Sequence, residues 1–417
     1  MNQTSGFLQL LPRFQAFCLF AFAAFVCFSI AGAHISLGLL ALCVLVQNLK
    51  NVRAEGTPDG GLAARFSELR LGFEWPLAFL ASAVLISSLL SHDPIDSISH
   101  LKNLTTIIGA YAVACSLRRQ PGWRKPALWT FLITATLVSV WGLIKYLLGL
   151  TVKVQSTQST TMTWGAISAM FLLFTTSEAF NASLVYERWC ARVFCVPQCF
   201  ALLLSFVRGA YLGLAAGIAY LLRRQWKTLL PAAVALIFIA GFLAPASVRA
   251  RFTSIFDLQH PSIVVRFEQW QIGAKIIADH PFFGVGWHDL APFTRQYAQP
   301  DPRLPQGVND DVFHIGHYHN TYITLTVCSG LIGLAAFLWL MASVWKQLGL
   351  VAAQNAHAEN KALAWACHAT MLSFLINGMF DWTFGDAEVI TMFWFMIGLG
   401  LGQNKTSLPH AKTTCQV

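Results

Sequence analysis

Residues 299–320 read QPDPRLPQGVNDDVFHIGHYHN, a proline-rich polar run that closes on three histidines and an asparagine. Irregular backbone of this kind cannot satisfy its hydrogen bonds in hydrocarbon, yet an apolar run resumes directly after His319. Working backwards, the polar character reaches residue 245, and ahead of it apolar segments follow one another with short breaks. The stretch 245–318 therefore reads as an aqueous insert within a series of membrane-spanning segments. A plain bundle needs no such insert, so the chemistry is expected there.

The 417-residue chain is 56% hydrophobic and 11% charged, whereas soluble domains carry roughly a quarter charged residues. About 20 apolar residues cross the roughly 30 Å hydrocarbon core. On that measure twelve segments stand out, at 14–31, 33–49, 73–91, 101–117, 126–149, 161–179, 189–206, 209–222, 227–244, 319–345, 361–380 and 387–403. The expected fold is an all-α polytopic membrane protein of about twelve transmembrane helices, with one large outer loop containing short helices. Its expected division is nine spans in 1–244, the loop at 245–318, and three spans plus a tail in 319–417. A full-length second span follows the first apolar segment at once, so that segment does not read as a cleavable signal peptide.

Orientation follows from Lys and Arg in the short loops. With the N-terminus inside, Arg65 and Arg70, Arg118 to Lys125, Arg188 and Arg192, Arg223 to Lys227, Lys346, Lys361 and Lys405 all fall on the cytoplasmic side. The opposite turns are nearly bare of them: 92–100 has no Lys or Arg, and 381–388 carries only acidic charge. The insert then lies outside, in the periplasm if the membrane is a bacterial inner membrane. The +9 net charge is explained by topology and anionic lipid, so no nucleic-acid partner is expected. Most of the ten cysteines sit inside spans as small apolar residues. Neither a disulfide framework nor a zinc site is predicted.

Three places carry candidate chemistry. Arg208 is flanked by apolar runs on both sides, and an arginine at membrane depth is costly unless it snorkels or meets an anion. Lys145, near the end of another span, is a weaker version of the same signal. Residues 262–280 carry Ile263, Phe267, Trp270, Ala274 and Ile277 at helical spacing, which predicts an amphipathic surface helix with Arg266 at phosphate depth. It runs into His280-Pro281-Phe282-Phe283-Gly284-Val285-Gly286-Trp287, where two glycines permit a turn whose N–H groups can approach a ligand, although such spacing more often marks a purely structural turn. His319 stands at the membrane re-entry, where a neutral imidazole suits a hydroxyl proton. Paired carboxylates for a metal-bound pyrophosphate form no signature; Asp310, Asp311, Asp381 and Asp386 are scattered over outer turns.

Together these segments resemble the O-antigen ligase/polymerase superfamily of bacterial envelope glycosyltransferases, and most of all its ligase branch. The resemblance rests on Ser205 to Leu212, on Arg266 through Trp270 to Gly286, and on His319-Asn320 followed by Gly330 and Gly333. Phe206 and Val207 intervene between Ser205 and Arg208, where the family usually has serine directly before the arginine. The resemblance implies a GT-C-like fold and an inverting, metal-independent glycosyl transfer without cofactor. The implied partners are an undecaprenyl-pyrophosphate-linked polysaccharide as donor, lipid A–core as acceptor, and surrounding membrane lipids. It implies His319, Arg208 and Arg266 as catalytic residues, with Lys145, Asn320, Trp270, His317 and Asp386 lining the substrate site beside the two arginines. The same residues admit an O-antigen polymerase or a protein O-oligosaccharyltransferase, and, from a different class, a lipid-linked glycan flippase.

Overall fold

The computed structural model describes residues 3–54, 69–223, 261–287, 290–298 and 316–403. The helices are α1 (Gln3–Phe25), α2 (Ile30–Ala54), α3 (Glu74–Leu89), α4 (Pro94–Ser99), a 3-10 helix (His100–Ile107), α5 (Ile108–Arg119) and α6 (Arg124–Leu147). They continue with α7 (Thr161–Asn181), α8 (Val185–Leu203), α9 (Arg208–Leu221), α10 (Pro261–Asp279), α11 (Ala291–Tyr297), α12 (Thr321–Gln354), α13 (Ala358–Asn377) and α14 (Ala387–Leu401). No strand occurs among the described residues. The expected span at 227–244, the boundary at 244/245, the proline-rich run 299–307 and Asp310-Asp311 lie outside them. Every other apolar segment overlaps a helix.

Ile30–Leu49, Pro121–Leu147 and Thr321–Gln354 are long and apolar enough to cross a membrane; Leu10–Phe25, Glu74–Leu89 and Ala387–Leu401 are shorter apolar helices. Phe17, Leu42, Trp75, Leu137 and Val193 point outward and exposed, an arrangement that lipid solvates and water would not tolerate. The expected span at 101–117 is not one regular helix. It begins as the 3-10 stretch, where the Thr105 hydroxyl donates to the Lys102 carbonyl, a competing bond of the kind that disfavours regular α-helix.

At the centre, every residue of α14 from Val389 to Leu401 is buried, as expected of a helix apolar on all sides. Phe393 stacks on Phe374 of α13 with ring centroids 4.3 Å apart. Phe395 meets Phe22 of α1 at 5.3 Å and Phe131 of α6 at 5.4 Å. Beside this core, α9 presents Gly209, Gly213 and Gly217 at four-residue spacing and packs on α13 and α7. A Cβ on Gly213 would come within 2.8 Å of the Ser373 carbonyl oxygen, and one on Gly217 within 3.0 Å of that of Ala369. Small residues at this spacing allow membrane helices to approach closely. The helix so packed begins at Arg208.

The helix α12 is broken within its first third. Ser329 (φ −130°, ψ 15°) and Gly330 (φ 67°, ψ −174°) leave the helical region, which frees backbone groups on both sides. The 280–287 turn fills the gap. Leu331 N donates to Pro281 O (2.8 Å), Val285 N to Val327 O (2.9 Å) and Gly286 N to Cys328 O (3.0 Å). Gly284 and Gly330 both have positive φ and face the opposing backbone directly, with no room for a Cβ. Of the two readings of this turn, the structural one holds: its N–H groups meet main-chain carbonyls rather than a ligand. They repair a helix, and the Trp287 N–H is taken by the Ser97 hydroxyl at 2.7 Å.

The α10 helix forms as the spacing predicts, but its buried face is rotated from the expected stripe. Gln269, Ile272, Gly273 and Ile276 are buried while Phe267 and Ala274 are exposed. The cause is packing against α11 and α12: bare Gly273 faces Ile323 and Tyr318.

Candidate active site

The site grows from the start of α12. Asn320 is the N-cap residue: its side-chain oxygen accepts from Tyr322 N (2.9 Å) and Ile323 N (3.1 Å), and its amide nitrogen donates to Met379 O (3.0 Å). Thr321 N donates to Gly378 O at 2.7 Å, and the Thr321 hydroxyl donates to Asp381 O at 3.0 Å. These bonds clamp the turn between α13 and α14 against the α12 N-terminus, and so bring Asp381 beneath the imidazole of His319.

On the other side, Tyr318 anchors the entering strand of chain. It is 1% exposed; its carbonyl accepts from the Trp270 indole at 3.0 Å and its hydroxyl lies 3.0 Å from that of Thr294. With Tyr318 pointing inward, His317 and His319 flank it, their ring centroids 4.5 Å apart. His319 has φ +44°, a left-handed conformation that a non-glycine residue adopts only when its surroundings impose it. Its Nδ1 lies 3.3 Å from Asp381 Oδ1, and that oxygen also accepts from Trp382 N at 2.9 Å.

Electrostatics tie the arginines to this pair. Burial lowers the pKa of Arg266, with the charge of Asp381 opposing the effect and that of Arg208 adding to it, so all three share one field. The Arg266 guanidinium reaches Met162 Sδ at 3.5 Å, next to the start of α7. Burial pushes the Asp381 carboxyl up, but the hydrogen bond and charge of His319 and the Trp382 N–H hold it below the usual carboxylate range. Burial, assisted by His319, drives His317 down to about 4 against the pull of Asp381. His317 is therefore neutral near pH 7.

The structure thus gathers Arg208, Arg266, His317 and His319. Of the other expected site residues, Asn320 and Trp270 border the cluster but spend their polar groups on backbone. Asp386 caps α14, accepting from Glu388 N and Val389 N, and takes the Thr163 hydroxyl at 2.5 Å; burial raises its pKa, with Asp381 contributing. Lys145 donates to Ser156 O at 2.8 Å, and no described contact links it to the histidines. Sequence reasoning missed Asp381 as a partner of His319; its one signal was acidity in an outer turn without Lys or Arg. Ligand atoms of His317, His319 and Asp381 lie within 4.8 Å of one another, a spacing compatible with a cation, but the positive charges of two guanidiniums share the same field and oppose one.

The sequence is similar to known proteins over the segment that carries most of these residues. Residues 193–338 match the family model described as O-Antigen ligase, a segment that includes both arginines, His317 and His319. The chain is 26% identical over 225 residues to a protein of Rickettsia bellii (strain RML369-C) named "Putative polysaccharide ligase". That alignment covers 51% of this chain and 51% of the relative, so the two match over about half their lengths.

Proposed function

We propose that this chain is an inverting, metal-independent glycosyltransferase. In this reading it moves an O-antigen polysaccharide from undecaprenyl pyrophosphate to a sugar hydroxyl of lipid A–core, at the periplasmic face of the inner membrane. The observation that carries the reading is the pairing of His319 with Asp381 in the same field as Arg208 and Arg266. The match to the O-antigen ligase model supports the polysaccharide and the ligase-type transfer. The Lys/Arg asymmetry of the short loops supports the membrane face.

The chemistry follows from the groups present. Asp381 accepts the Nδ1 proton of His319, which leaves Nε2 as the free acceptor and favours an imidazolium once it forms. A hydroxyl of the acceptor sugar gives its proton to Nε2 as its oxygen attacks the anomeric carbon. The bond from that carbon to the pyrophosphate oxygen breaks on the opposite face, and the electron pair leaves with the pyrophosphate. Arg208 and Arg266 neutralise the charge that grows there; their planar forks match phosphate oxygens. A pyrophosphate leaving group needs little general acid, so electrostatic stabilisation dominates.

The test is a deletion strain whose lipopolysaccharide is run on a gel. Loss of the long ladder with accumulation of lipid-linked polymer supports ligation. A core bearing a single repeat indicates a polymerase instead, and an unchanged ladder removes the reading. Undiminished transfer by purified protein in excess chelator supports the metal-independent form.

A further inference from the structure

His317 stands beside the base of the scheme above and has no task in it. Its ring centroid is 4.5 Å from that of His319, and the buried Tyr318 between them in the chain anchors both. Asp381 joins them from 62 residues away along the sequence. One ligand atom from each of the three lies within 4.8 Å of the others, and all three side chains are half-buried. A small ion reaches such a place from water without the fold having to open.

The spacing suits one kind of ion. On a tetrahedral zinc with bonds of about 2.0–2.1 Å, neighbouring ligand atoms stand roughly 3.3 Å apart. His319 Nδ1 and Asp381 Oδ1 are already separated by 3.3 Å. The His317 atom is at most about 1.5 Å beyond that spacing. Two imidazoles and a carboxylate leave a fourth position open, as zinc sites with three protein ligands do. Imidazole nitrogen favours zinc and its transition-metal neighbours, whereas magnesium and calcium take oxygen ligands and water. The field that Arg208 and Arg266 share with Asp381 works against any cation. It tells most against an ion held by charge alone, and least against one bonded to nitrogen lone pairs.

We propose that His317, His319 and Asp381 form a binding site for a divalent transition metal of the zinc class, and that its occupancy switches transfer off. The binding stands on the cluster itself; the effect on rate rests on the proposed transfer. In that scheme His319 carries its proton on Nδ1, towards Asp381, and accepts with Nε2. A metal between Nδ1 and Asp381 takes the place of that proton, and the single ring proton of the neutral imidazole then sits on Nε2. A metal on Nε2 occupies the same lone pair directly. Either way the acceptor hydroxyl meets no base.

The probe is Zn²⁺, titrated by calorimetry into purified, chelator-stripped full-length protein in detergent, without a polyhistidine tag. Co²⁺ serves as a second probe, because its visible bands report tetrahedral nitrogen and oxygen ligation. Zn²⁺ is expected to bind, Mg²⁺ and Ca²⁺ at the same concentration are not. Losing a partner that merely supports a ligand costs about 10–100-fold in metal affinity, so His317→Ala and Asp381→Asn should each lose at least tenfold while keeping the wild-type melting profile without metal. Zn²⁺ should inhibit wild-type transfer reversibly, with chelator restoring the rate. For His317→Ala, measured against its own metal-free rate, inhibition should move to higher Zn²⁺ in step with the lost affinity. Equal Zn²⁺ affinity in wild type and both variants overturns the site, since the ion then sits on other histidines. Zinc bound in a His317-dependent way with transfer undiminished overturns the switch. His317-dependent binding in a protein that transfers no glycan under any condition removes the transferase reading, and the switch with it, while the metal site stands.

Discussion

Asp381 is the residue on which the chemistry of His319 turns. Because the carboxylate engages Nδ1 at 3.3 Å, Asp381→Asn would hold the ring in place but remove the charge that favours a proton on Nε2. Transfer is expected to fall by about 10²-fold or more, measured as polymer joined per minute, with the protein still folded by its melting profile. Arg208→Ala, Arg266→Ala and His319→Ala should each abolish ligation without lowering the protein level in membranes. Arg266→Lys should rescue poorly, since a point charge does not replace a fork.

His317 makes a separate prediction through pH. Its pKa is depressed to about 4 from an unfolded value near 6.5, so between those values the unfolded chain binds more protons than the folded one. Stability should therefore be full above about pH 6.5 and decline as the pH falls through that window. His317→Gln should flatten the decline in a series of melting curves from pH 7 to pH 4.5. An identical slope in both proteins would show that His317 is not the group responsible.

Among elements, α9 and α12 are the sensitive ones. Gly213→Leu would press a side chain into the Ser373 carbonyl and push α9 from α13. Activity and melting temperature should both drop, with a loss of about 1–3 kcal/mol of stability, the range of overpacked cores. Parts of this arrangement were legible in the sequence and parts were not. Arg208 announced itself as a charge between apolar runs, Arg266 by its place on an amphipathic stripe, and His319 by standing where polar chain meets apolar chain. Those are local signals. Asp381 gives only its acidity in an outer turn, because its role comes from hydrogen bonds that Asn320 and Thr321 make across about 60 residues of chain. The rotated face of α10 was hidden for the same reason: Gly273 is covered by Ile323 and Tyr318, which arrive from a distant segment. Glycines 284 and 286 were legible as a turn, yet sequence alone could not tell a turn that greets a ligand from one that mends a helix.

For the molecule as a whole, the claim most open to measurement is orientation. Single cysteines placed at Ser91 or Ser99 in a cysteine-free background should react with a membrane-impermeant maleimide in spheroplasts. Cysteines at Arg188 or His357 should react only after lysis. The opposite pattern would put the site on the cytoplasmic face, where no lipopolysaccharide acceptor would meet it as proposed.

The break in α12 carries a further consequence. The bonds that close it run between main-chain atoms, so they do not depend on which side chains hang from Phe282 or Val327. They depend on count. Exchanges at exposed Phe282 should be absorbed quietly, whereas adding or removing a single residue between Pro281 and Gly286 would shift each donor past its acceptor and leave a membrane helix with an open wound. Variation among sister sequences should thus show freedom of spelling but a fixed number of letters in this short span.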